Sequence, residues 1–253
     1  MPLTAAQTNS AFQALNSFAI ELPSWGFANT GTRFGKFIQA TAATSTPEKI
    51  ADAGQVHKFT GCCPTVAMHV LWNFPKGVAD IPAVKEVASS CGVQIGAINP
   101  NVFQDQCYKH GSLGNPDPEV RKTALSHILD CVEIQRASGS RDLSLWFADG
   151  TNFPGSSSIR ARKDWFTEGL KTVHAALNDQ QRMLVEYKPF EPAFYHTDIA
   201  DWGMSYVLCK HCGPRAKVLV DTGHHYQAQN IEQIVAWLLS EDMLGGFHFN
   251  DRR

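Results

Sequence analysis

The chain has 253 residues, 43% of them hydrophobic and 18% charged, which is enough for a substantial buried core. Its formal charge of -2, with Lys and Arg scattered along the chain, denies nucleic acid the basic stripe it requires. No window approaches the roughly 20 apolar residues of a membrane span, and MPLTAAQTNSAF is no secretory leader, so a cytoplasmic protein without a membrane partner is expected.

Short apolar runs alternate with longer segments of helical period, the signature of repeated βα units around a parallel sheet. The strand-like runs are residues 18–25, 65–71, 93–99, 143–149, 183–188, 217–221 and 246–250. After the first, GFANTGTRFGKF reads as a mobile loop and candidate lid, and residues 38–53, rich in Ala and Thr, lead into a weaker helix. Asp117 caps a helix with Pro118 at its first position, Val120, Ala124, Ile128 and Cys131 along its stripe, and Gly139 at its end. Phe166, Leu170, Val173 and Leu177 mark another helix, and Asn230 caps a third containing Ile231, Ile234, Val235 and Leu238. Residues 201–213 also read as helix. They hold Cys209-Lys-His-Cys212, half of a zinc knuckle without its partner CxxC, so packed free thiols are expected. The seven cysteines, Cys62, Cys63, Cys91, Cys107, Cys131, Cys209 and Cys212, have no regular spacing and read as reduced.

In parallel α/β folds chemistry gathers at the carboxyl ends of the strands, and here those ends are polar. Alternation along LSLWFADG sends Leu143, Leu145 and Phe147 toward helices and Ser144, Trp146 and Ala148 inward, so Trp146 lines a pocket. In RMLVEYKPFEP the inward set is Leu184, Glu186 and Lys188; in AKVLVDTGHH it is Leu219 and Asp221, with Gly223 allowing a turn that swings His224 back; in GGFHFND it is His248 and Asn250. Adjacent strands lie about 5 Å apart, so Glu186, Asp221 and His248 converge. Oxygen and imidazole ligands without thiolate suit Mn2+, Mg2+ or Co2+. The bland alternatives are a buried Glu186–Lys188 ion pair and a hydrogen-bonded core His248. His69 ends the second strand by the same logic, while Trp25 and Trp72 are packing residues or ligand platforms.

The blocks PSWGFANTGTRF, GSLGNPDPEVR, LWFADGTNFPG, EYKPFEPAFYHT, DWG, VDTGHH and GGFHFND together resemble the bacterial L-rhamnose isomerase family of xylose-isomerase-like TIM barrels, from about Ile20 onward. The resemblance implies a single (β/α)8 barrel domain over residues 1–253, and an aldose-ketose isomerase that interconverts L-rhamnose and L-rhamnulose and accepts rare sugars such as D-allose. It also implies two divalent metals per site, Mn2+ first, with Co2+, Mg2+ or Zn2+ as alternatives, and a homotetramer. By resemblance, Glu186, Asp221 and His248 hold the structural metal and His224 the catalytic one. Lys188 and His69 contact sugar oxygens, the latter during ring opening; Trp25, Trp72 and Trp146 form the aromatic walls; Phe34 reaches into a neighbouring subunit's site. The implied reaction is a hydride shift between C1 and C2, with proton transfer through an enediol as the rival.

The sequence also departs from that family. It stops just past the seventh strand, so the barrel's final helix-strand-helix portion is expected to be missing, with an acidic cluster and one aspartate ligand. Asp251 matches neither, and Ser156 stands where the family's NFPGQ has Gln. The competing expectations are a truncated sugar- or metal-binding paralogue without turnover, and a metal-dependent phosphodiesterase or AP endonuclease on the same barrel.

Overall fold

A computed structural model describes residues 2–29, 38–190 and 195–250. The elements in chain order are α1 (Ala5–Asn16), β1 (Glu21–Pro23), α2 (Thr46–Thr60), β2 (Thr65–His69), the single turn α3 (Val70–Asn73), α4 (Ile81–Ser90), β3 (Gln94–Asn99), α5 (Pro118–Ser138), β4 (Asp142–Leu145), α6 (Ile159–Ala176), β5 (Arg182–Glu186), α7 (Trp202–Cys212), β6 (Ala216–Asp221), α8 (Ile231–Ser240) and β7 (Leu244–His248). The strands pair in chain order from β1 to β7, and those of β1 with β2, β3 with β4, and β4 through β7 are parallel. Strand, helix, strand in unbroken order is the connectivity of a (β/α) barrel, and seven of its strands lie among the described residues.

The chain divides into two compact units, Met1–Met68 with Pro82–Gly96, and His69–Ile81 with Ala97–Arg253. In the first, two capping boxes fix helix starts: Thr4 with Gln7 opens α1, and Ser45 with Glu48 opens α2. No residue of α1 is buried, so this helix has no apolar stripe and its only sequence signal is the cap. Strand β1 is shorter than residues 18–25 because Pro23 removes a ladder donor, and the chain turns into a 3-10 segment, Ser24–Phe27.

In the second unit the sequence's caps sit where they read. Asp117 accepts from the Glu119 N–H at the start of α5, Gly139 adopts the left-handed conformation at its end, and Asn230 caps α8. The registers Leu143 with Met183 and Val185 with Val218 stack fully buried side chains between sheet and helices. Phe147 packs on Phe166 of α6 at 5.1 Å between ring centres, so one face of the β4 stretch is spent on the helix layer and the other is left for a site.

Candidate metal centre

Glu186, the last residue of β5, is in register with Leu219 of β6, and Asp221, the last residue of β6, with His248 of β7. Side-chain alternation puts Leu219 and Asp221 on one face, so the ends of three neighbouring strands deliver Glu186, Asp221 and His248 to one place. One ligand atom from each lies within 4.8 Å of the others. His224 joins them: its Nδ1 is 3.2 Å from Glu186 Oε1 and 3.6 Å from Asp221 Oδ2, while His248 Nδ1 is 3.3 Å from Glu186 Oε2. The turn carrying His224 is built by Asp221, whose Oδ1 accepts from the Gly223 N–H at 2.7 Å. Glycine is needed there for space rather than for a left-handed backbone, since a Cβ would come 2.9 Å from Asn250 Cγ.

Glu186 and Asp221 are 6% and 4% exposed, so two carboxylates are removed from water side by side. Burial raises the Glu186 carboxyl, but the His248 and His224 imidazoles outweigh it and hold the group at about 2. For Asp221 burial wins over the same imidazoles and pushes it up. Two carboxylates buried side by side next to two imidazoles are a costly arrangement, and a divalent cation relieves it. The donor set, carboxylate oxygen and imidazole nitrogen with no thiolate, fits such a cation. The Tyr187 carbonyl oxygen lies 2.9 Å from His224 Nδ1. Because a carbonyl only accepts, Nδ1 carries the proton and Nε2 keeps its lone pair.

Beside this cluster runs an aromatic wall. The His69 ring lies 4.3 Å from that of Trp72 and 5.6 Å from that of Phe103, and Phe103 meets Trp146 at 4.9 Å. Burial pushes the His69 imidazolium down to about 3, against hydrogen bonding to the backbone of Asn99 and Pro100 and the pull of Glu186, so the ring is neutral. Lys188 holds its ammonium 5.3 Å above the Trp146 ring. Trp146 Nε1 is buried with no hydrogen-bond partner among the described residues, a donor awaiting an acceptor.

The structure thus brings together Glu186, Asp221, His224 and His248, and separately His69, Trp72, Trp146 and Lys188. The side chain of His248 is 37% exposed, and each Glu186 oxygen faces one of the two imidazoles. Trp25 lies in the 3-10 turn of the first unit. Phe34 and Asp251 fall outside the described residues, as does most of the candidate lid. Ser156 lies in a short 3-10 turn, its hydroxyl donating to the Phe153 carbonyl at 2.8 Å. Cys209 and Cys212 are free thiols on α7; burial raises both, Cys212 to about 11. Sequence reasoning missed Phe103, an aromatic four residues past the end of β3, although its place after a strand end was a usable signal. It also missed Asp149, a buried carboxylate that binds the loop at residues 111–115.

Residues 57–253 match the family described as xylose isomerase-like TIM barrel. A probable sugar isomerase of Rhizobium meliloti is 40% identical over 242 residues, covering 94% of this chain and 56% of the relative, and one of Mesorhizobium japonicum is 39% identical with the same coverage. The chain therefore spans about 56% of the length of these curated relatives. Among solved structures, the D-allulose 3-epimerase of a Methylomonas species in complex with D-allulose superposes with a TM-score of 0.66 at 14% identity, covering 93% of this chain and 75% of that one, a likeness of fold.

Proposed function

The chain belongs to the xylose isomerase-like TIM barrel family, and on that premise we propose that it is the core of a divalent-metal-dependent aldose-ketose isomerase acting on L-rhamnose and L-rhamnulose. The observation that carries this reading is the convergence of Glu186, Asp221 and His248 within 4.8 Å. The nearby aromatic wall suits an uncharged polyol. Two probable sugar isomerases at 40% and 39% identity support the reaction class. The L-rhamnose assignment rests on the sequence blocks from PSWGF to GGFHFND.

Glu186, Asp221 and His248 would hold one cation, and His224 would present Nε2 to a second. Bound there, divalent ions supply Lewis-acid polarisation of two neighbouring sugar oxygens. The chain's own residues do the rest. His69, neutral because buried, would offer a ring nitrogen as hydrogen-bond acceptor to a ring-form hydroxyl as the sugar opens. Lys188, steadied over Trp146, donates to a sugar oxygen and stabilises negative charge on it. The Trp146 indole N–H supplies a further donor, and the rings of Trp72, Phe103 and Trp146 exclude water from C1 and C2.

The test is the purified chain with Mn2+ or Co2+ and with a chelator. At a hundredfold excess over Kd, a cation binding only the folded state adds about 2.7 kcal/mol, a rise in Tm of roughly 5–10 °C for a chain of this size. Ketose formation from L-rhamnose should accompany it. A cooperative melt that neither metal shifts, with no ketose formed, would sink the proposal.

A further inference from the structure

Tyr187 and His225 stand directly beside the metal candidates, and neither has a role in the reading above. The Tyr187 hydroxyl and His225 Nε2 are 2.7 Å apart and buried, and their rings meet edge-on at 5.4 Å. Tyr187 is 1% exposed and His225 9%. They are chain neighbours of Glu186 and His224. Alternation sends the Glu186 side chain into the carboxylate cluster and that of Tyr187 to the other side of the strand, where it grips the turn after β6. The Tyr187 carbonyl accepts from His224 Nδ1 at 2.9 Å. One residue therefore holds the β6 turn twice, through its main chain at His224 and through its phenol at His225.

We infer that Tyr187 and His225 form a positioning pair that sets the His224 ring for a divalent cation, resting on the metal reading above. If the phenol–imidazole bond is lost, the turn at residues 222–225 loses its side-chain tie to Tyr187 and is left with the Tyr187 carbonyl at His224, the Asp221 bond to the Gly223 N–H and the Thr222 bonds to Asn250. The His224 ring then samples orientations in which Nε2 no longer faces the site. Partners that orient a ligand histidine typically change metal affinity 10- to 100-fold when removed.

The experiment titrates Co2+ into the full chain by calorimetry and follows its visible d–d absorption, with a melt of each apo variant alongside. Tyr187→Phe should weaken Co2+ binding about 10-fold or more and alter the absorption band. Tyr187→Phe with His225→Leu, apolar at both ends, removes the buried polar group left over and so recovers the apo melt, yet stays weak for Co2+. His225→Gln, which can still hydrogen-bond the phenol, should bind nearer the unaltered chain. Wild-type affinity and band in either Tyr187→Phe variant would overturn the inference while leaving the metal site standing. No Co2+ binding by the unaltered chain would remove the metal reading, and this pair's role with it.

Discussion

Asp149 gives the sharpest test of how the loops around the site are held. It follows Trp146 in the extended stretch after β4 and is 1% exposed. Its Oδ2 accepts the Ser112 and Gly114 N–H groups at 2.6 and 2.7 Å, and its Oδ1 the Ser112 hydroxyl at 2.7 Å. Asp149→Ala strands two buried N–H donors at about 1–3 kcal/mol each, a loss of about 2–6 kcal/mol. Asp149→Asn keeps all three bonds: the amide oxygen takes the place of Oδ2, and the amide NH2 donates to a Ser112 hydroxyl turned to accept. Burial pushes the Asp149 carboxyl up to about 6 from its ordinary 3.8, against these hydrogen bonds. The native state therefore binds more protons than the unfolded chain in that interval. Stability from protonation is present below the unfolded value and is lost as pH rises through about 6. The full span is on the order of 3 kcal/mol, and Asp149→Asn abolishes it. Urea denaturation at several values between pH 4.5 and 7 should show Asn close to or above the native chain at pH 7, with a flatter pH dependence, and Ala well below both. Equal losses in Asn and Ala would refute the reasoning, because the carboxylate charge rather than the hydrogen-bond count would then hold the loop.

Trp146→Phe keeps a ring beneath Lys188 and removes the buried indole N–H; if the proposed sugar isomerase reading holds, sugar KM should rise about 10-fold, the worth of one hydrogen bond to an uncharged partner, with the melt nearly unchanged. Arg162→Ala breaks the fork to Asp198, three N–O contacts of 2.6 to 3.0 Å with the arginine 2% exposed, and should cost about 3–5 kcal/mol in denaturant titration. Cys209→Ala with Cys212→Ala should leave bound metal unchanged by elemental analysis, and thiol reagents should spare Cys209 until the chain unfolds, since burial holds its proton on.

Local rules read well in this sequence where the signal lies in neighbouring residues. Asp117, Pro118 and Gly139 mark the ends of α5 by caps alone, and alternation at strand ends finds Glu186, Asp221 and His248. What stayed hidden joins distant positions: Asp149 reaches Ser112 across 37 residues, and Tyr187 reaches His225 across 38. No period or spacing announces such pairs, since each residue alone resembles an ordinary loop or core residue. The α1 helix escaped for the opposite reason, having local caps but no buried face to imprint a stripe.

The convergence of Glu186, Asp221 and His248 depends on one irregularity that alternation alone does not foresee. Val218 pairs with Leu244, but Leu219 pairs with Gly246, so one residue of β7 is passed over, and Asp221 comes opposite His248. Had the ladder run on evenly, Asp221 would have met Phe247, and His248 would have turned to the other face. The extra residue is Gly245, where a Cβ would lie 2.6 Å from Leu184 Cδ2, 2.9 Å from Lys217 Cβ and 3.0 Å from the Val218 carbonyl. The leucine tip can yield, while the Lys217 Cβ and the carbonyl are fixed by β6. Gly245→Ala should therefore cost about 1–3 kcal/mol as overpacking, and it should also weaken Co2+ affinity by 10-fold or more through the displaced His248. His248→Ala separates the two effects, losing affinity while leaving the bulge and most of the stability intact. If Gly245→Ala bound Co2+ as the native chain does, the bulge would not be what brings His248 to Asp221, and the register would have to be set elsewhere along β7.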